Sequence, residues 1–293
     1  MRARFLVPTV TAAIAIALVL GGCASTEQKA VDPPGAVRPT TTPEAQLQVG
    51  PVLVLANRAG TVSVRTQTGA VAFRAPNGVA APDSSTVVQA EPIDAGTRVV
   101  ASDPVTGVPR WSHDVAGTRR VRVVSPGGRF VALVDGNLNV ASDKRTQTSV
   151  TVATAEGARE LRLPGNLDPE AFSVDGRYLY VLDFLPAMNP SHYSVRRVDL
   201  QTKRIESVPD RDGGVREPMP GYARTQLMSA DGKQLYTFYA SGEPVREEGE
   251  GAYFAWIHVL NLDKGWAHCV DLDEKIGVGG DANPALAESP DGS

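Results

Sequence analysis

Five stretches of this chain repeat one local pattern, and that repetition constrains the fold more than any other feature. They are "APDSSTVVQA" from Ala81, "SPGGRFVALV" from Ser125, "SVDGRYLYVL" from Ser173, "SADGKQLYTF" from Ser229 and "SPDGS" from Ser289. The first four place a tight turn ahead of a strand, and the fifth stops at the turn. Ser and Asp side chains bond to nearby backbone N–H groups, while Gly128, Gly176, Gly232 and Gly292 supply the positive φ that such a turn requires. The segment after the turn, "YLYVL" or "QLYTF", has the apolar pattern of half-buried β-structure.

The copies start 44 to 60 residues apart, widening along the chain, and units of about 40 to 50 residues are the period of propeller blades. Between them lies a second hairpin, seen in "GTVSVRTQTGAVAFRA", "TRVVASDPVTGVPRWSHDV", "SVTVATAEGARELRLPG", "SVRRVDLQTKRIESVPD" and "WIHVLNLDKGWAHCVDLD". One full unit therefore has four strands: one before the Ser-x-Asp-Gly turn, one after it, and the two of the outer hairpin. A helical solenoid is excluded, because the units carry Val, Thr, Tyr and turn glycines instead of apolar stripes at three-to-four spacing. The expected fold is all-β, a β-propeller with about five four-stranded blades over residues 51–293. "PVLVLAN" from Pro51 starts as a second strand lacking a first, and "NPALAESPDGS" is placed to supply it. The competing expectation is a chain truncated from six or seven blades.

These turns and strands resemble those of bacterial WD40-like, YVTN-type and TolB-type propellers. "ASDPVTGVPRW", with Asp103, Thr106, Gly107 and Trp111, is similar to the quinoprotein-type repeat, in which the tryptophan docks on its neighbour. The resemblance covers residue 51 onward and implies a fold, with little about activity.

Ahead of the repeats, Arg2 and Arg4 precede the uncharged run "FLVPTVTAAIAIALVL", the pattern of a secretory signal peptide over residues 1–22. The run ends in "LGGC", and Leu20, Gly21, Gly22 and Cys23 resemble the lipobox of bacterial lipoproteins. That resemblance implies cleavage before Cys23 and a diacylglycerol on its thiol, hence a protein tethered to the cell membrane on the extracytoplasmic side. Residues 23–50, rich in Pro, Thr and Ala, cannot bury a core and are expected to be a disordered tether. With Cys23 lipidated, Cys269 is the one thiol left of the chain's 2 cysteines, so no intrachain disulfide can form. A net charge of -4 gives no basic footprint for nucleic acid.

In such a blade the second-to-third-strand connections share one end with the connections that enter each inner strand. The long insertions "PAMNPSHYS" from Pro186, "DRDGGVREPMPGYA" from Asp210 and "ASGEPVREEGEGAYFA" from Ala240 all fall on that end, the default recognition site. Candidates at the channel mouth are Arg119, Arg120, Asp168, Glu170, Tyr222, Arg224 and Asn283. Each is also a loop-end position where a solvated polar side chain needs no function. Arg246, Glu247, Glu248 and Glu250 form a solvated charge run on the last insertion.

A two-residue turn at Asp263 and Lys264 would set His258 opposite Cys269, close enough for metal binding or a nucleophilic dyad, but no third orienting group is evident. "DLDEKIG" from Asp271 starts like a calcium loop, yet Lys275 and Ile276 occupy positions that need an oxygen ligand and a glycine. No GxSxG, HExxH, P-loop or dinucleotide motif is present. No cofactor or metal is expected. The functional expectation is a lipid-anchored binding or scaffolding module for a protein, peptide or glycan. The alternative is a propeller-type enzyme, a lactonase-like hydrolase or quinoprotein-like dehydrogenase. Against the latter, one blade alone has the docking-tryptophan pattern in full.

Overall fold

The strand after each Ser-x-Asp-Gly turn can stay extended because the turn satisfies its own polar groups. In the computed structural model, Ser173 N and Gly176 N donate to Tyr178 O and Ser173 O, both at 2.9 Å. The Ser173 hydroxyl donates to Asp175 at 2.6 Å and accepts from Tyr178 N at 2.9 Å. Ser229 repeats this with Asp231 at 2.7 Å and Gln234 N at 2.9 Å. Gly128, Gly176 and Gly232 hold φ of 66, 72 and 69°, the left-handed region that glycine alone enters freely. In the Ala81 copy the same offset is filled by Ser84, at φ 56°.

The structure describes residues 69–137, 144–214, 218–245 and 253–272, the backbone of 52–57 and 60–65, and positions 286, 287 and 289; the side chains of Tyr222, 241–245 and 253–254 are excluded. The proposed signal sequence, Cys23, the tether, Asn283 and the 246–250 charge run lie outside the described residues.

Among the described residues nineteen strands form five antiparallel sheets, each in simple sequential order. The first sheet holds β1 (Val52–Asn57), β2 (Gly60–Arg65) and β3 (Val71–Ala75). The second holds β4 (Val79–Ala80), β5 (Val87–Ile93), β6 (Gly96–Ser102) and β7 (Pro109–Ala116). The third holds β8 (Arg119–Val124), β9 (Val131–Asp135), β10 (Gln147–Thr154) and β11 (Gly157–Pro164). The fourth holds β12 (Leu167–Phe172), β13 (Tyr178–Leu185), β14 (His192–Asp199) and β15 (Ile205–Ser207). The fifth holds β16 (Tyr222–Met228), β17 (Gln234–Val245), β18 (Tyr253–Asn261) and β19 (Trp266–Asp271). Among the described residues the lone helical turn is Pro126–Gly128.

Four sheets thus have the four-stranded blade order expected from the repeat. The first has three strands among the described residues, with β1 paired to β2. β8 packs beside both β4 and β12, so first strands of successive sheets are neighbours at an axis. The architecture is that of a β-propeller.

Each middle sheet is buried on both faces, which is why its strands read as apolar runs instead of strict alternations. In β9, Val131 and Leu133 enter the core shared with the second sheet, whereas Ala132 enters the core shared with the fourth. In β13, Leu179 and Val181 face the third sheet, while Tyr180 and Leu182 face the fifth. Burying each such aliphatic side chain contributes roughly 1.5–3 kcal/mol, so three inter-sheet cores dominate the stability.

The outer hairpins turn on a second repeated device. Asp103 Oδ1 accepts from Val105 N and Thr106 N at 2.9 and 3.0 Å. Asp199 Oδ1 accepts from Gln201 N and Thr202 N at 2.9 and 2.8 Å, and Asn261 Oδ1 from Asp263 N and Lys264 N at 3.2 and 2.7 Å. The Thr202 N–H is the largest reason the Asp199 carboxyl is held down at about 2. Strand pairing from Asn261↔Trp266 makes the last of these a four-residue loop, Leu262 to Gly265, not the two-residue turn expected at Asp263 and Lys264. The extra residues let the Asn261 side chain close the loop.

Candidate functional site

Three inner strands, β8, β12 and β16, carry a β-bulge, and the extra residue at each is charged. In β8 the pairing jumps between Val121 and Val123, leaving Arg122 as the extra residue. In β12 it jumps between Pro169 and Ala171, leaving Glu170, and in β16 between Ala223 and Thr225, leaving Arg224. A bulge bends its strand and redirects the unpaired residue.

Arg122 Nε and Nη2 donate to Asp168 Oδ1 and Oδ2 at 2.8 and 2.7 Å, a two-point ion pair between the third and fourth sheets. Its Asp168 side chain is 6% exposed and the Arg122 side chain 32%. Burial works against the guanidinium's charge, but the bonds to Asp168 outweigh it and hold Arg122 above its ordinary value.

Glu170, two residues along β12, is buried. Its Oε1 accepts from Gln226 Nε2 at 3.0 Å, Thr237 Oγ1 at 3.3 Å and Tyr239 OH at 3.4 Å, all from the fifth sheet. Oε2 is buried with no hydrogen-bond partner among the described residues. Burial pushes the carboxyl up to about 7, Arg122 pulls it down, and Asp168 pushes it up again. Burial likewise raises the Tyr239 and Tyr193 phenols. Beneath this network Tyr239 stacks on Tyr193 at 4.6 Å and on Trp256 at 5.8 Å between centroids.

Of the sequence candidates, Asp168 and Glu170 are brought together here with Arg122, Gln226, Thr237 and Tyr239, which sequence reasoning missed. Arg119 is elsewhere: Nη2 donates to Glu160 at 3.1 Å, Nη1 to Ser149 at 3.3 Å and Nε to Ala116 O at 3.2 Å. Arg119 and Arg120 border a separate cavity of about 480 Å³ between the second and third sheets. Arg224 is exposed, and Tyr222 is placed by its backbone in β16.

His258 does pair directly with Cys269 across β18 and β19. His258 meets the Tyr239 ring edge-on at 6.2 Å, and Cys269 Sγ lies 3.5 Å from Met219 Sδ in the buried core. Among the described residues no group of three or more His, Cys, Asp or Glu is placed to hold a metal ion.

At the insertion end, connections from successive sheets bond to one another. Arg145 N, before β10, donates to Ala187 O in the β13–β14 connection at 3.3 Å. Asn166 Nδ2, before β12, donates to the same oxygen at 3.3 Å. Tyr193 and Met219 exchange two backbone bonds of 2.8 Å, tying β14 to the β15–β16 connection. Met188, at the tip of the β13–β14 connection, is 51% exposed.

No family model matches this chain, and no curated protein matches it. Among solved structures it is similar to a TolB-type protein from Agrobacterium tumefaciens at 14% identity, covering 75% of this chain and 77% of that one, with TM-score 0.44. The β-propeller domain of the Trilobed protease from Pyrococcus furiosus is similar at 10% identity, with coverages of 76% and 65% and TM-score 0.41. An oligogalacturonate lyase in complex with manganese is similar at 15% identity, with coverages of 74% and 61% and TM-score 0.41. The chain spans less than two thirds of the length of the latter two.

Proposed function

We propose that this protein is a recognition module, lipid-anchored through Cys23 on the extracytoplasmic side of the cell membrane. It binds a protein, peptide or glycan with the loop-bearing end of its propeller. One observation carries the reading: at that end the connections of the third, fourth and fifth sheets are bonded laterally through Ala187 and the Tyr193–Met219 pair, giving an ordered platform. A rigid scaffold under inserted loops is the common design of a binding face. Asp168 is clamped by Arg122, and Glu170 is enclosed with its Oε1 bonded to Gln226, Thr237 and Tyr239, so this network braces the third, fourth and fifth sheets beneath the platform.

A photo-crosslinking amino acid placed at Met188 in the full-length protein, expressed in its own cells, tests the face. The control position is Val174, 40% exposed in the Ser173 turn at the opposite end. Discrete adducts from Met188 and none from Val174 are expected; equal adducts from both, or none, would overturn the reading. Palmitate incorporation that persists in Cys23→Ala would remove the anchor.

A further inference from the structure

Glu170 holds the fourth sheet to the fifth through one oxygen. Oε1 takes three neutral donors, Gln226 from β16 and Thr237 and Tyr239 from β17, while Oε2 is buried with no hydrogen-bond partner among the described residues. Arg122 of β8 gives Nε and Nη2 to Asp168, so the guanidinium that acts on Glu170 bonds to its neighbour instead. An ionised carboxylate with a bare buried oxygen is costly, whereas the protonated form has no charge to solvate. Burial accordingly raises this carboxyl to about 7. The other ionisable groups around it are Asp168 on β12, Tyr239 on β17 and Tyr193 on β14, with His258 of β18 set against the Tyr239 ring; Arg224 of β16 is exposed.

The same residue is joined to the loop-bearing end by contact. Tyr239, which donates to Oε1 at 3.4 Å, stacks on Tyr193 at 4.6 Å. Tyr193 exchanges two 2.8 Å backbone bonds with Met219 of the β15–β16 connection, and Met219 Sδ lies 3.9 Å from Tyr193 OH and 3.5 Å from Cys269 Sγ. That connection is thus seated on the aromatic layer to which Glu170 is bonded. Water has a short way in, because Gln226 is exposed and the Arg122 side chain is 32% exposed.

We infer that Glu170 is a proton-operated switch for the β15–β16 connection at the loop-bearing end. With the proton on Oε2, the fourth and fifth sheets stay closed and Met219 stays seated on Tyr193. Without it, water enters beside Gln226 to solvate the carboxylate, the proton leaves to solvent by the same gap, and the connection is released. The seated state binds the proton more tightly than the open one, so it is favoured in mild acid and weakens as pH rises from about 4.5 to about 7. The inference rests on the loop-bearing end being the recognition face, and it adds how that face is regulated.

The test is hydrogen exchange of the full-length protein in detergent micelles across the acid and neutral range, read as protection factors so that the intrinsic pH dependence of amide exchange divides out. Protection of the segments holding Tyr193 and Met219 falls by roughly tenfold or more between about pH 5 and 7.5. The opening is local, so about 1 M urea leaves the loss nearly unchanged. Glu170→Gln, uncharged at every pH and of the same shape, removes the pH dependence. Asp168→Asn takes away a neighbouring charge and leaves Arg122 to Glu170, which moves the midpoint of the loss to lower pH. Protection independent of pH in the wild type, the same pH dependence in Glu170→Gln, or a loss that deepens with urea as global unfolding does would overturn the switch. The readout needs no ligand. If Met188 adducts form while protection stays flat, the switch falls and the recognition face stands. Protection that follows Glu170 without Met188 adducts keeps the switch and removes the recognition face.

Discussion

Arg122 reaches from the third sheet to the fourth and grips both oxygens of Asp168, at 2.8 and 2.7 Å. The two partners differ in burial, 32% against 6% side-chain exposure, and that difference sets an asymmetric prediction. Arg122→Met leaves a buried carboxylate without its counter-ion and costs about 3–5 kcal/mol. Asp168→Asn leaves a guanidinium that water still reaches, at about 1–2 kcal/mol. Chemical denaturation of the two variants measures both. Equal losses would mean that the pair is solvated on both sides.

Glu170 makes stability fall as pH rises. Its carboxyl, ordinarily near 4.5, is pushed up to about 7 by burial, with Asp168 adding and Arg122 opposing. The folded state therefore binds the proton more tightly than the unfolded one. Its contribution is complete below about 4.5 and is lost as pH climbs to about 7, by roughly 3 kcal/mol in all. The turn carboxylates act oppositely. The Ser173 and Ser229 hydroxyls lower Asp175 and Asp231, and the Thr202 N–H lowers Asp199. Their stabilisation is present above about 3.9 and lost as pH falls through the lowered values. Denaturation midpoints from pH 3 to 8 should peak on the acid side of neutrality, and Glu170→Gln should flatten the limb between pH 4.5 and 7. An unchanged limb would move the titration to another group.

The turns were legible in the sequence because their physics is local: a Ser or Asp oxygen, the N–H groups two or three residues on, and a glycine. The His258–Cys269 register was legible from its hairpin, whereas the burial of both faces was not: "YLYVL" reads as a half-buried strand until sheets on either side are seen to cover Leu179 and Val181 on one face and Tyr180 and Leu182 on the other. The axial network was not, since a bulge changes where a side chain points without any change in composition. In "RRVRVV" nothing distinguishes Arg122 from Arg120 until Val121 and Val123 are seen to pair around it. One signal was nonetheless present. Arg122, Glu170 and Gln226 each stand three residues before the turn serine of their unit, at Ser125, Ser173 and Ser229. Aligning the units by that serine places all three at one blade position, and the structure binds Glu170 to Gln226 and sets Arg122 on the adjacent Asp168.

Gly176 separates two costs that glycine substitutions usually mix. At φ 72° it is left-handed, and an added Cβ would sit 2.1 Å from the Phe130 ring of the preceding sheet. Gly213, at φ 88°, has nothing within 4 Å of the same added atom. Gly213→Ala therefore costs about 1 kcal/mol, for backbone conformation alone. Gly176→Ala adds the overpacking of the interface, and about 3 kcal/mol is expected in total. Thermal unfolding of the pair checks the ordering, and a Gly176→Ala no worse than Gly213→Ala would mean that Phe130 moves freely aside.

Lys203 offers the inverse experiment, because it occupies a position built for glycine. In the three related outer turns the N–H four residues after the leading Asp or Asn closes on that residue's carbonyl: Gly107 to Asp103 at 2.8 Å, Lys203 to Asp199 at 2.8 Å and Gly265 to Asn261 at 2.9 Å. Their φ values are 70, 63 and 73°. A side chain there costs about 1–2 kcal/mol, and glycine's greater freedom in the unfolded chain returns about 0.5–1 kcal/mol of any gain from removing it. Lys203→Gly should therefore stabilise by roughly 0.5 kcal/mol, a rise in melting temperature on the order of 1–2 °C for a domain of this size. Gly265→Ala should move the opposite way and further, since its Cβ would also press on Arg197 Nη1 at 2.8 Å. Shifts of the same sign in both variants would show that the turns are held by their strands and not by the left-handed residue.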